Sequence, residues 1–175
     1  MIIIPLPDLK ATQDLGRTLA QCILATDLAA IFYTGALGVG KTTLTRALVE
    51  ALPGGNTAEI TSPSFTICNI YSTEPELYHF DLYRMQGDIL DDSLAEALER
   101  EETVSVVEWS ERLRRANIPD NSLLLHIELD VQTGERQVLA EAAGNAAHEA
   151  FALLAKAYPA ARQAVSTFDS FFLTT

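Results

Sequence analysis

Short, wholly apolar runs alternate along the chain with segments whose apolar residues recur every three or four positions, and this alternation predicts an α/β fold. Residues 2–6 read as a short lead-in strand. Residues 9–24 carry Leu15, Leu19, Cys22 and Ile23 on one stripe of a helix. Residues 28–34 are apolar on both faces and run into glycine, as a buried strand does. A second helix is expected from Lys41, with Leu44, Ala47, Leu48 and Leu52 inward, stopping at Pro53-Gly54-Gly55. Residues 65–71 and 77–83 flank a polar link and predict an antiparallel hairpin.

Residues 91–100 set Leu94, Ala97 and Leu98 at helical spacing, and the β-branched run 103–109 predicts another strand. Leu123, Leu125, Ile127, Leu129 and Val131 then alternate with His126, Glu128 and Asp130, a period of two. Residues 132–135 make the turn and 136–141 the return strand. Beyond about Gly144 alanine dominates, and Phe151, Leu154 and Tyr158 suggest a last helix. The pattern divides the chain into a compact domain over 1–141 and an alanine-rich helical extension over 142–175.

Composition narrows the function classes. A chain of 175 residues, 48% of them hydrophobic, can build one real core, which excludes a disordered or fibrous protein. With 24 acidic against 12 basic residues the net charge is −12, which disfavours gripping nucleic acid by bulk charge. Cys22 and Cys68 are too few for a disulfide framework. No leader pattern and no apolar stretch near the ~20 residues needed to span a bilayer is present, so a soluble cytoplasmic protein is expected.

The segment Gly35-Ala36-Leu37-Gly38-Val39-Gly40-Lys41-Thr42 fits G-x-x-x-x-G-K-[ST]. Glycines let successive backbone amides turn inward as an anion nest, and the helix behind adds the positive end of its dipole. Lys41 would reach the β- and γ-phosphates and the Thr42 hydroxyl would ligate Mg²⁺. The pattern arises by chance in roughly 0.6% of chains this long, and here it also sits between a predicted strand and a predicted helix. No guanine-reading N-K-x-D element follows, so ATP is the expected nucleotide rather than GTP.

A P-loop enzyme also needs an acidic group at a neighbouring strand end. Asp81 closes Tyr78-His79-Phe80-Asp81 and Glu108 closes Val104-Ser105-Val106-Val107-Glu108; spacing alone does not decide which holds the metal and which orients water. Residues 61–66 (TSPSFT) offer hydroxyls and a proline, as either a switch segment or an ordinary turn. Arg84 is a candidate charge stabiliser or a structural ion pair, and Trp109 a core residue or a neighbour of the nucleotide. His79, His126 and His148 are scattered and stand at no metal-ligand spacing with the cysteines, so no zinc site is expected.

In that order, GALGVGKTTLTRAL, TSPSFTICNIY, YHFDLYRM and VVEWSERL resemble the TsaE (YjeE) family, the small ATPases of the machinery that makes N6-threonylcarbamoyladenosine in tRNA. The resemblance covers roughly residues 3–140, beginning at Ile4-Pro5-Leu6-Pro7 and Thr12. It implies a single P-loop NTPase domain with a mixed β-sheet flanked by helices, ATP and Mg²⁺ as cofactors, and slow hydrolysis. The implied partners are the TsaB–TsaD pair, with TsaC supplying the donor. Lys41, Asp81 and Glu108 match the family's catalytic positions, with Thr42, Glu108 and Asp81 around the metal. Nucleotide contacts are expected from Thr12, Gly35, Leu37, Gly38, Val39, Gly40, Lys41, Thr42, Thr43, Ser62, Ser64, Trp109 and Arg136, and the resemblance makes residues 62–66 a switch loop.

Three departures stand out. Ala36 replaces a frequent aspartate, Ser64 replaces a usual threonine, and the segment after about Glu141 runs past the family's usual end, with Phe168, Phe171, Phe172 and Leu173 near the terminus. Two rival readings remain: a small-molecule P-loop kinase, which lacks an arginine-rich lid here, and a nucleotide-gated binding module that needs no turnover.

Overall fold

The computed structural model describes residues 1–57, 59–85, 92–130, 132–145 and 147–165. Asp91, Val131 and the terminal aromatic cluster Phe168, Phe171, Phe172 and Leu173 lie outside them. Eight strands form one sheet: β1 (Ile2–Leu6), β2 (Ala30–Thr34), β3 (Cys68–Tyr71), β4 (Glu76–Asp81), β5 (Thr103–Glu108), β6 (Ser122–Leu129), β7 (Arg136–Ala143) and β8 (Arg162–Gln163). Their spatial order is β3-β4-β5-β2-β6-β7-β1-β8. The centre, β4-β5-β2-β6, is parallel, while β3, β7, β1 and β8 add antiparallel at the two sides. The sheet is therefore mixed, and all five residues of β2 are buried, as a strand covered on both faces requires.

Helices α1 (Leu9–Ala25), α2 (Lys41–Ala51) and α4 (His148–Ala157) cover one face. Leu15, Leu19 and Ile23 of α1 and Leu44 and Leu48 of α2 meet Ile31, Tyr33, Leu123 and Leu125 there. Asp8 starts α1 as N-cap, its side chain accepting a hydrogen bond from Ala11 N at 2.7 Å. Gly16 sets the approach of α1 to α2: a Cβ there would lie 2.6 Å from Ala47 Cβ and 2.8 Å from Leu48 N. The other face holds α3 (Asp92–Glu99), whose Leu94 and Ala97 pack with Phe32, Phe80, Val107 and Leu124.

The segment after Glu141 docks on this frame. Ala147, Ala150 and Leu154 are buried in the same core as α1, and the Cys22 thiol donates to Ala150 O at 3.4 Å. Burial pushes that thiol up to about 11, as for a packed rather than a reactive cysteine. β8 then pairs with Ile2 and Ile3 of β1. At two residues it is too short to leave a periodic signal, and the sequence pattern does not anticipate it.

Among the boundaries that differ from the pattern, two bear on the site. The first hairpin strand begins at Cys68 rather than at Phe65, because Ile67 takes φ 68° and the Thr66 and Ile67 N–H groups turn back onto Pro63 O. Phe65 is consequently 82% exposed, with the Arg84 guanidinium 4.1 Å from its ring centroid. β5 stops at Glu108, and Trp109 leaves the sheet at φ 62°.

Candidate functional site

Three parallel strands end together. Asp81 is registered against Glu108, and Glu108 against Tyr33, so both carboxylates and the start of the glycine loop share the carboxyl edge of β4-β5-β2. Crevices outside such strand ends are where open α/β sheets bind ligands. The loop bends through positive φ at Gly35, Gly38 and Gly40, and a Cβ at Gly38 would meet nothing within 4 Å. Gly40 precedes α2 and offers no side-chain cap, which leaves the first-turn amides without that partner, as at helix N-termini that bind anions.

Lys41 is buried, and its Nζ donates to Gly35 O at 2.6 Å and Ala36 O at 3.0 Å. It also rides 3.6 Å from the Trp109 ring centroid, a cation–π contact. Burial lowers the Lys41 pKa below its ordinary value, against the charges of Glu111 first and then Glu108 and Asp81. Trp109 holds its left-handed backbone, which costs a non-glycine residue about 1–2 kcal/mol, between this ammonium and the Tyr83 ring at 4.8 Å. Ser110 fixes the turn behind it by donating to Tyr33 O at 3.1 Å.

The two carboxylates have different partners. Glu108 Oε2 accepts from Thr42 Oγ1 at 3.1 Å, while Oε1 accepts from Thr45 at 3.4 Å and lies 2.8 Å from His79 Nε2. Asp81 instead accepts from Ser62 Oγ and, at 2.9 Å, from Tyr83 N. Glu108 thus faces the glycine loop's hydroxyl, and Asp81 holds the hydroxyl-rich loop. Among the described residues no group of three or more His, Cys, Asp or Glu side chains could hold a metal ion. The donor set is one of hard oxygens, Thr42 and Glu108 with Asp81 alongside, which fits Mg²⁺ completed by phosphate and water oxygens.

These groups line a cavity of about 380 Å³ with Leu37, Gly38, Gly40, Thr43, Ser62, Ser64, Tyr83, Arg84 and Trp109. Gly35 contributes its carbonyl to Lys41 rather than lining the cavity. Val39 and Arg136 line a neighbouring apolar cavity of about 460 Å³ with Ala36, Leu37, Gly38 and residues 126–129. The Arg136 guanidinium comes back to the loop, since a Cβ on Gly40 would lie 3.2 Å from its Nη1. Thr12 lines neither cavity; it is buried in the first turn of α1 with its hydroxyl donating to Asp8 O at 3.3 Å.

Two carboxylate neighbours escape the sequence reading. His79 looks like one of three scattered histidines until β4 and β5 are laid side by side. Glu111 lies in the 3-10 turn Ser110–Arg112, and its Oε2 is buried without a hydrogen-bond partner among the described residues. Burial pushes its carboxyl above the usual range, opposed by its own backbone N–H, by Lys41 and by the Gly35 N–H. A third carboxylate near a P-loop lysine, three residues after the one at the strand end, is the only hint the sequence offers.

The family described as "Threonylcarbamoyl adenosine biosynthesis protein TsaE" matches residues 6–138. A Streptomyces coelicolor protein named tRNA threonylcarbamoyladenosine biosynthesis protein TsaE is 40% identical over 109 residues, 57% of this chain and 67% of its own. The same-named Aquifex aeolicus protein is 34% identical over 119 residues, 67% of this chain and 80% of its own. The crystal structure of Bacillus subtilis YdiB superposes with a TM-score of 0.70 at 26% identity, covering 90% of this chain and 97% of that one. A glycine loop, two registered carboxylates and a family match across three quarters of the chain agree, and the chain belongs to the TsaE family of tRNA threonylcarbamoyladenosine biosynthesis.

Proposed function

We propose that the protein is a slow, Mg²⁺-dependent ATPase of the cytoplasm that supports tRNA threonylcarbamoyladenosine formation through a TsaB–TsaD pair. The observation that carries this reading is the convergence of Lys41, Thr42, Glu108 and Asp81 on one cavity at the strand ends. The loop amides and Lys41 would bind the phosphates of ATP, and Thr42 and Glu108 would hold Mg²⁺, with Asp81 close by. Bound there, Mg²⁺ would neutralise phosphate charge and polarise the terminal phosphoryl group.

Asp81 keeps Ser62 at the cavity wall, and Ser62 is the hinge side of a loop whose other end, Ile67, sits in a left-handed conformation that is costly for a β-branched residue. The partner pair would select the arrangement that brings Ser62, Ser64 and Arg84 onto the terminal phosphate, and slow turnover alone follows from its absence. Direct tRNA contact is not needed, in keeping with the net charge of −12.

The test is release of inorganic phosphate from Mg·ATP, measured with and without TsaB and TsaD. The reading expects weak release alone and a rise with the pair. Equal rates under both conditions, or transfer to a small acceptor instead, would end it.

A further inference from the structure

His79 stands in the middle of β4, wholly enclosed on the face that carries Leu77, Val104 and Val106. Its ring stacks near Tyr71, with centroids 6.3 Å apart and planes 27° from parallel. Nδ1 is buried and has no hydrogen-bond partner among the described residues. Nε2 has one, Glu108 Oε1 at 2.8 Å. An imidazole with one nitrogen unsatisfied is an expensive way to fill an apolar layer, since a leucine would pack there without an orphaned polar atom. The single bond to Glu108 is what the imidazole supplies and a leucine cannot.

The bond acts on the orientation of the carboxylate. His79 lies two residues before Asp81, whose registered partner is Glu108, so the ring reaches Glu108 diagonally from the adjoining strand. Oε1 is held from the core side, by His79 at 2.8 Å and by Thr45 at a longer 3.4 Å, while Oε2 turns to Thr42 and the cavity. A cation on the Thr42 hydroxyl oxygen leaves its hydrogen free to donate, but that bond holds only Oε2, the oxygen that must also face the cation. The grip on Oε1 then decides whether Oε2 stays aimed at the ion.

We infer that His79 is a positioning residue: by donating from Nε2 to Glu108 Oε1 it presents Glu108 Oε2 to the cation. The inference rests on the reading that Thr42 and Glu108 hold Mg²⁺. Outer partners of this kind change metal affinity by about 10–100-fold when removed.

The experiment compares wild type, His79→Gln and His79→Leu. Glutamine places an amide N–H near the position of Nε2; leucine keeps apolar volume and donates nothing. ATP affinity is measured by calorimetry in EDTA and across a Mg²⁺ titration, with thermal unfolding to establish that each variant is folded. Leucine is expected to raise the half-saturating Mg²⁺ concentration about tenfold or more and to leave affinity in EDTA unchanged. Glutamine is expected to stay within about threefold of wild type on the Mg²⁺ axis. Should the leucine variant fail to fold, His79→Asn, whose amide falls short of Glu108, takes its place with the same expectation. A Mg²⁺ midpoint in the donor-free variant equal to wild type overturns the inference. So does a glutamine variant as impaired as it, or an equal loss in EDTA. A wild-type protein indifferent to Mg²⁺ overturns the metal reading and this inference with it, whereas a wild-type Mg²⁺ effect whose midpoint His79→Leu leaves unshifted overturns the inference alone.

Discussion

Replacing Lys41 by methionine separates binding from folding. The stem length is kept against Trp109 while the ammonium disappears, with its bonds to Gly35 O and Ala36 O at 2.6 and 3.0 Å and its contact with the indole at 3.6 Å. Losing these is offset by no longer burying a charge, the same burial that lowers the Lys41 pKa. Each bond lost from a charged donor is worth about 1.5–3 kcal/mol and the relief of burial offsets most of it, so stability should fall by about 1–2 kcal/mol. Binding has no such offset. Two bonds from a charged donor to phosphate are worth about 1.5–3 kcal/mol each, and allowing for partial rehydration about 3–4 kcal/mol is lost. At 1.4 kcal/mol per tenfold, the Kd for Mg·ATP rises about 10²–10³-fold. Calorimetric titration reads the affinity and urea unfolding reads the stability. A Kd within threefold of wild type would refute the reasoning, as would a loss of binding that merely follows a loss of several kcal/mol in stability.

Three further outcomes are expected. Gly16→Ala adds a methyl 2.6–2.9 Å from Ala47 and the Leu48 amide, an overpacking of about 1–3 kcal/mol that outweighs the roughly 1 kcal/mol alanine gains in a helix; a urea midpoint at or above wild type would contradict it. Leu154→Ala empties a fully buried position between α4 and α1 and should cost about 2–4 kcal/mol, read as a lower melting temperature, whereas an unchanged one would mean that α4 does not share the core. ATP affinity should be flat near neutrality and fall as pH rises through the Lys41 pKa, earlier than for an ordinary lysine, because the bound form needs the ammonium. Since Glu111 is the leading charge that holds that pKa up, Glu111→Gln should move the fall to lower pH; calorimetry across the alkaline range showing superimposable curves would rule this out.

What the sequence displayed and what it hid have physical reasons. β2, the glycine loop and α2 were legible because strand, turn and helix signals adjoin within about twenty residues. Which of Asp81 and Glu108 meets Thr42 was not, since that follows from β5, not β4, lying beside β2. His79 is invisible for the same reason, its partner being 29 residues away on another strand. Phe65 looked like the start of a strand because it is aromatic and followed by Thr66 and Ile67. The backbone reversal at Ile67 leaves it outside, stacked with Arg84. Trp109 could be read as core or as site. It is partly buried against the second core and lies under Lys41, so both environments apply.

The central claim is that the backbone at Gly38–Gly40 and the head of α2 bind a chain of phosphates. Titrating the wild-type protein calorimetrically with ATP, ADP and AMP at constant Mg²⁺ tests it most directly. Affinity should depend on the number of phosphates, with AMP at least about 100-fold weaker than ATP. AMP binding as tightly as ATP, or no saturable binding of ATP at all, would contradict it.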